Sequence, residues 1–164
     1  LSKPGWPHNQ LAGKTGQAAM TKQATYDADF YLWTRQQAAL LRQGRLQAVD
    51  AAHLAEEIES MGKSDRRALG SHLRSILLHL LKWRHQPDRR GASWESSIRN
   101  GRDEVEEILA DSPSLNAQLV DSLETEYRRA RRIAASETGL PMNTFSDQCP
   151  FTVEQVLDAE YWPD

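Results

Sequence analysis

Residues 77–99 read LLHLLKWRHQPDRRGASWESSIR, and this stretch decides the fold. It contains the end of an apolar helix, a turn rich in cations and tryptophan, and the start of another helix. Pro87 cannot continue the first helix, because its ring clashes with the preceding turn and it has no amide hydrogen. Ser93 is an N-cap residue for the second helix. The short turn therefore predicts two neighbouring helices that run antiparallel.

Apolar residues elsewhere also recur at helical spacing, and no strand pattern competes with them from Asp27 onward. The stripe that precedes the turn consists of Leu54, Ile58, Met61, Ala68, Leu69, Leu73, Ile76 and Leu80. Its phase hardly changes at Gly62, which leaves open one long helix to about Trp83 or two nearly collinear helices. The sequence predicts an all-α fold, an antiparallel helical bundle of four to five helices with a short C-terminal helix.

The beginning of the chain differs from the rest. Residues 1–19 contain scattered Gly, Pro, Lys and Gln without an apolar core or a cleavage pattern, so we expect no secretory signal. We expect residues 1–24 to form a disordered or loosely attached leader. Met20 is the expected natural start, and residues 1–19 are then an upstream extension or a processing remnant. Residues 25–164 are expected to form a single helical domain.

The composition is that of an ordinary soluble protein, with 39% hydrophobic and 26% charged residues and a net charge of −3. The most apolar run free of charge, Gly and Pro, residues 75–81, is too short to cross a bilayer. Cys149 is the one cysteine, which excludes an internal disulfide and a multi-cysteine zinc site. We therefore expect a cytoplasmic protein without membrane attachment.

The turn that decides the fold is also the first candidate binding site. Cations mixed with aromatic side chains can hold phosphates and stack bases. The candidate binding residues are Arg84, Arg89, Arg90, Arg99 and Arg102. A structural interpretation competes, because cations at a helix C-terminus offset its exposed carbonyls and Trp83 and Trp94 fall on the apolar faces of their helices.

A second basic group lies near the end of the last long helix and contains Arg128, Arg129, Arg131 and Arg132. Four arginines in five residues cover all sides of a helix. We expect some of them to pair with the acidic residues of 103–107. Binding of nucleic acid or phosphate is favoured if the rest share a face with the first group.

A weak metal-site candidate combines His53 with Glu56 and Glu57, at the i,i+3 and i,i+4 spacing that chelation on one helix needs. Carboxylate-metal bundles use Glu-x-x-His pairs on two helices, whereas the order here is reversed and no second copy exists. A metal-dependent hydrolase is therefore an alternative, and the favoured expectation is no metal and no cofactor. His72 and His79 are expected to hydrogen-bond across the bundle.

Nucleophilic catalysis has little support in the sequence. Cys149 precedes Pro150 without a helix N-terminus or neighbouring cation to lower its pKa. No nucleophile elbow, phosphate-binding glycine loop or dinucleotide fingerprint occurs. The leading hypothesis is a small non-catalytic helical module that binds a protein partner or self-associates, and binding of nucleic acid or phosphate around residues 82–102 is the alternative.

Several short strings occur in an order typical of one family: YDADFYLW at 26–33, LRQG at 41–44, LAEEIESMG at 54–62, LLKW at 80–83, ETGLP at 137–141 and CPF at 149–151. Together they closely resemble the bacterial domain of unknown function 29 family, over roughly residues 25–163. The resemblance implies an almost entirely helical fold and a start near Met20. It brings no established activity, cofactor or catalytic residue.

Overall fold

The structure is a computed structural model and describes residues 25–164. Its helices are α1 (Phe30–Arg42), α2 (Ala51–His85), α3 (Ala92–Asp111), α4 (Leu119–Thr138) and α5 (Val153–Leu157). Short 3-10 helices cover Leu46–Ala48, Pro87–Arg89, Pro113–Gln118 and Met142–Thr144. The described residues contain no strand, and the predicted all-α helical bundle is confirmed. The predicted leader and the expected start at Met20 lie outside the described residues.

The described chain divides into two compact units, with the boundary between residues 54 and 55. A single domain over 25–164 therefore stays a prediction. In the first unit α1 begins after Asp29, whose carboxylate accepts the Leu32 amide at 2.9 Å, as N-cap chemistry predicts. The chain leaves α1 through Gly44, whose φ of 69° suits a residue without a side chain.

The interior of the first unit is built on two residues of α1, Trp33 and Gln37, which are 2% and 1% exposed. Gln37 can be buried because its side-chain oxygen accepts the backbone amide of Asp50 at 2.8 Å. Phe30, three residues before Trp33 in α1, is an apolar residue but is 49% exposed. A polar residue therefore takes an interior position that periodicity alone assigns to apolar ones.

In the second unit α2 continues without a break through Gly62, which settles the choice between one helix and two. The helix ends at His85, two residues before Pro87, as that proline predicts. The prediction for Ser93 is wrong. The N-cap of α3 is Gly91, and Ser93 lies inside the first turn.

Three contacts define how α2 and α3 pair. The hydroxyl of Ser112 donates to Asp65 at 3.4 Å, and further along α2 a Cβ added to Gly101 would lie 2.7 Å from Ile76. The Lys82 ammonium lies 4.8 Å from the Trp94 ring. Residue numbers therefore increase along α2 in the direction in which they decrease along α3, and the two helices are antiparallel as predicted.

The pairing of α2 with α4 has the opposite sense. Glu126 of α4 lies against Gly70 of α2, and Glu137 accepts from Lys82 at 2.8 Å. Residue numbers increase in the same direction along α2 and α4, so these two helices run parallel. The buried core of this unit consists of Leu69, Leu73, Ile76, Leu77, Leu80, Leu81, Ile98, Val105, Leu115, Leu119, Leu123, Tyr127, Ala130, Ala134, Phe145, Phe151 and Val156.

The apolar stripe of α2 enters the core only in its C-terminal half. Ile58 and Met61 are 66% and 69% exposed, although the periodicity placed them inward. The physical reason is the length of α3, which ends at Asp111 beside Asp65 of α2. The earlier turns of α2 extend beyond that level, and α3 cannot cover them.

Candidate functional site

Arg102 belongs to the predicted cationic site but is 5% exposed. Its guanidinium donates to four backbone carbonyls near the C-terminus, those of Val156 (2.9 Å), Tyr161 (2.9 Å), Ala159 (3.3 Å) and Gln155 (3.5 Å). Burial lowers its pKa. This side chain therefore holds the segment around and after α5 against α3.

Arg90 and Arg99 also have partners within the unit. The Arg90 Nε donates to the carbonyl of Trp83 at 2.9 Å, which satisfies one acceptor near the end of α2. Arg99 pairs with Glu95 at 3.0 Å and lies 5.4 Å from the ring of Trp162. Both guanidinium groups thus contribute to the helix corner.

Arg84 and Arg89 are exposed, and neither side chain has a hydrogen bond or ion pair with another described residue. The other three members of the predicted set, Arg90, Arg99 and Arg102, all donate to groups within the described structure. The aromatic partner that sequence reasoning missed is Trp162, whose ring lies 4.6 Å from that of half-buried Trp83. Binding of nucleic acid or phosphate at this turn stays a prediction.

Two arginines of α4, Arg128 and Arg131, contact α4 itself and the segment that follows it. Arg131 donates to the carbonyls of Phe145 and Met142 and pairs with Asp147 at 2.7 Å, while Arg128 donates to the carbonyl of Glu124 in its own helix. None of the ion pairs within residues 25–164 joins these arginines to residues 103–107. The expected pairing with α3 is therefore not formed.

The Asp50 carboxylate holds His53. Its Nδ1 lies 2.8 Å from an Asp50 carboxylate oxygen, which also accepts from Trp33 Nε1 at 3.3 Å. These hydrogen bonds, that of His53 foremost, lower the pKa of Asp50. The Tyr26 ring stacks on the imidazole at a centroid distance of 4.4 Å.

This carboxylate–imidazole pair could orient a general base. It also has a structural use, because the second oxygen of Asp50 accepts the His53 amide at 3.4 Å at the start of α2. Throughout the described chain, no three His, Cys, Asp or Glu side chains lie together as metal ligands. The candidate metal site of His53, Glu56 and Glu57 stays a prediction.

The prediction that His79 hydrogen-bonds across the bundle is wrong. Its Nδ1 lies 2.8 Å from the carbonyl of Ser75 in the same helix. Burial lowers the pKa of His79, so the imidazole is neutral near pH 7. A neutral ring that donates to its own helix needs no partner on a neighbouring one.

Sequence reasoning missed a groove of about 830 Å³ between α2 and α4. At its floor Glu126, 6% exposed, accepts from Arg74 at 3.3 Å and from Arg129 at 2.7 Å. A Cβ at position 70 would lie 3.1 Å from the Glu126 carboxylate, so Gly70 makes room for it. Gly70, a glycine inside an apolar helix, was the signal in the sequence for a close contact with another element. Its partner, Glu126, lies more than fifty residues away, so the sequence does not identify it.

Cys149 is a poor nucleophile, because burial raises its pKa to about 11. We expect iodoacetamide to alkylate it about a hundredfold more slowly at pH 8 than an exposed cysteine in a short peptide. The rate should rise about tenfold per pH unit without a plateau up to pH 9. A plateau at or below pH 9, with the fold intact by circular dichroism, would contradict the burial.

The fold and these sites define an all-α helical bundle with a cationic interhelical groove and a largely structural arginine- and tryptophan-rich corner. Residues 25–162 match the family model described as Domain of unknown function DUF29, and the chain belongs to that family. The resemblance found in the sequence is thereby confirmed. No curated protein and no solved structure matches it. Within residues 25–164 no helix is both long and apolar enough to span a membrane.

Proposed function

We propose that this protein is a helical interaction module that self-associates through the exposed N-terminal half of α2. The observation that carries the proposal is the exposure of Ile58 and Met61, at 66% and 69%. The two residues are three positions apart and therefore share one face of the helix. Apolar helix faces of this kind are typical of contacts with another chain.

A second copy of the chain is the partner that this face fits by itself. Two copies of α2 packed antiparallel, with a twofold axis near Met61, would place Ile58 and Met61 of each chain against those of the other. Lys63, Arg66 and Arg67 line the groove with α4 and lie outside this contact, so apolar burial carries the association.

Such a contact is isologous, with the same surface used by both chains, as in most homodimers. Burial of an Ile or Met side chain is worth about 1.5–3 kcal/mol. Each of these side chains is buried once on each chain, so two Ile and two Met side chains contribute to the contact. Their burial can support a dimer at micromolar concentration after the cost of association is met. No catalytic step enters this proposal.

The double variant Ile58→Glu and Met61→Glu tests it. We expect the wild-type chain to elute as a dimer in size-exclusion chromatography with light scattering and the variant as a monomer. The dissociation constant should rise at least about a hundredfold, because apolar burial is lost and four like charges meet. Helix content should be unchanged, since both positions are solvent-exposed.

Val120→Glu is the matched control, because Val120 is an apolar residue of α4 with the same degree of exposure, 65%. This variant should remain as dimeric as the wild type. A wild-type chain that is monomeric at the highest soluble concentration would refute self-association. Equal weakening by Val120→Glu would refute the assignment of the contact to α2.

A further inference from the structure

The groove between α2 and α4 has properties that self-association does not use. Five cations and two carboxylates are among the side chains that line it. The cations are Lys63, Arg66, Arg67, Arg74 and Arg129. The groove therefore carries an excess of positive charge in a chain whose net charge is −3.

The buried carboxylate organises this charge. Glu126 accepts from Arg74 on one helix and Arg129 on the other, so one negative charge fixes two guanidinium groups at the floor. Each guanidinium has five N–H donors; Arg129 uses part of them on Glu126, and Arg74 uses part on Glu126 and on the Ser71 hydroxyl at 3.4 Å. Both guanidinium groups are held in place where they line the groove, which lowers the entropy cost of binding an anion.

The wall adds neutral polar groups to these cations. Ser71, Ser122 and Thr125 supply hydroxyls, and Gln118 supplies an amide. The buried Oε1 of Gln118 has no hydrogen-bond partner in the described structure, and an unpaired acceptor is costly. A ligand that carries hydroxyl or amino donors would match this wall better than an apolar one.

We propose that the groove binds a small phosphorylated molecule that carries hydroxyl groups, such as a nucleoside phosphate. Planar guanidinium groups match phosphate oxygens in a bidentate geometry. A volume of about 830 Å³ lies within the range of small-molecule sites. An adjoining pocket of about 530 Å³, which also contacts Arg74 and Arg129, extends the site past these two residues.

A long nucleic acid fits this surface less well. Asp121, which lines the groove beside the cations, would repel a continuous phosphate backbone, whereas the Glu126 carboxylate is already paired with Arg74 and Arg129. The proposal is independent of the α2 self-association, because the groove lies on the face of α2 that meets α4. Loss of one activity would leave the other intact.

Isothermal titration of the full chain at low salt tests the groove with ADP, inorganic pyrophosphate, adenosine and a single-stranded oligonucleotide. We expect one ADP per chain, weaker binding of pyrophosphate and none of adenosine. Arg129→Gln should weaken ADP binding about tenfold, and Ser71→Glu should abolish it by placing a carboxylate beside the cations. Each variant is first compared with wild type by circular dichroism and melting temperature.

Arg128→Gln is the matched control, since it removes the same charge from the adjacent position of α4, where the side chain donates to the carbonyl of Glu124. It should change ADP affinity by less than about twofold. Absence of ADP and pyrophosphate binding to the wild type would overturn the proposal. Equal loss in Arg128→Gln, or tighter binding of the oligonucleotide than of ADP, would overturn it as well.

Discussion

Replacement of Arg102 by methionine is expected to lower the free energy of unfolding by about 3–5 kcal/mol, the largest effect of any single change considered for this chain. The guanidinium is 5% exposed and donates to four backbone carbonyls. Each buried acceptor left without a donor costs about 1–3 kcal/mol, and water can reach some of them. Methionine fills a similar volume but supplies no hydrogen bond.

Thermal unfolding monitored by circular dichroism measures this effect, with limited proteolysis as the local readout. The melting temperature should fall by about 10 °C, and the segment after Phe151 should be cleaved before the helices. Arg99→Met is the matched control, because Arg99 lies one turn earlier in α3 and forms an exposed pair with Glu95 worth less than about 1 kcal/mol. Similar melting temperatures for the two variants would contradict the role of Arg102.

Gly101→Val is expected to lower the free energy of unfolding by about 3 kcal/mol. A Cβ at this position would lie 2.7 Å from Cγ1 of Ile76, which is closer than carbon atoms can approach. Ile76 is fully buried and has no space to retreat. The α2 and α3 helices must therefore move apart, and overpacking of this kind typically costs 1–3 kcal/mol.

Asn100→Val serves as the control, because Asn100 precedes Gly101 in α3 and points to solvent. Exposed helix substitutions of this type change the free energy of unfolding by less than about 0.5 kcal/mol. Urea denaturation of the two variants gives the comparison directly. A Gly101→Val midpoint equal to that of Asn100→Val would show that α2 and α3 do not approach each other this closely.

The sequence predicts most of the fold because its signals are local. Pro87 ends α2 through its own ring, and Gly139, with φ of 73°, ends α4 through its lack of a side chain. Apolar spacing identifies the helices, and short connections imply that successive ones are neighbours. These features depend on residues close in sequence, so no knowledge of tertiary contacts is needed.

The extent of burial could not be predicted in the same way. Ile58 and Met61 continue the phase of Leu69 and Leu73, but only the length of α3 decides which of them is covered. Periodicity defines a face of a helix and carries no information about how far its neighbour extends. The exposed half of α2 therefore became visible only in the structure.

The candidate sites show the same limit. Arg102 lies four residues after Ile98 and three before Val105, so its phase already placed it on the buried face. The helical spacing therefore indicated that Arg102 is buried, but the many charged residues around it led to its assignment to the cationic binding site. The groove could not be predicted from the sequence, because Arg74 and Glu126 lie on different helices and are fifty-two residues apart in sequence.

Sedimentation equilibrium of the full chain from micromolar to near-millimolar concentration tests the central claim, self-association through α2, most directly. We expect the wild-type data to fit a monomer–dimer equilibrium, and the variant that carries Ile58→Glu and Met61→Glu to stay monomeric over the same range. A wild-type chain of constant monomer mass, or a double variant that dimerises as tightly as the wild type, would contradict the account.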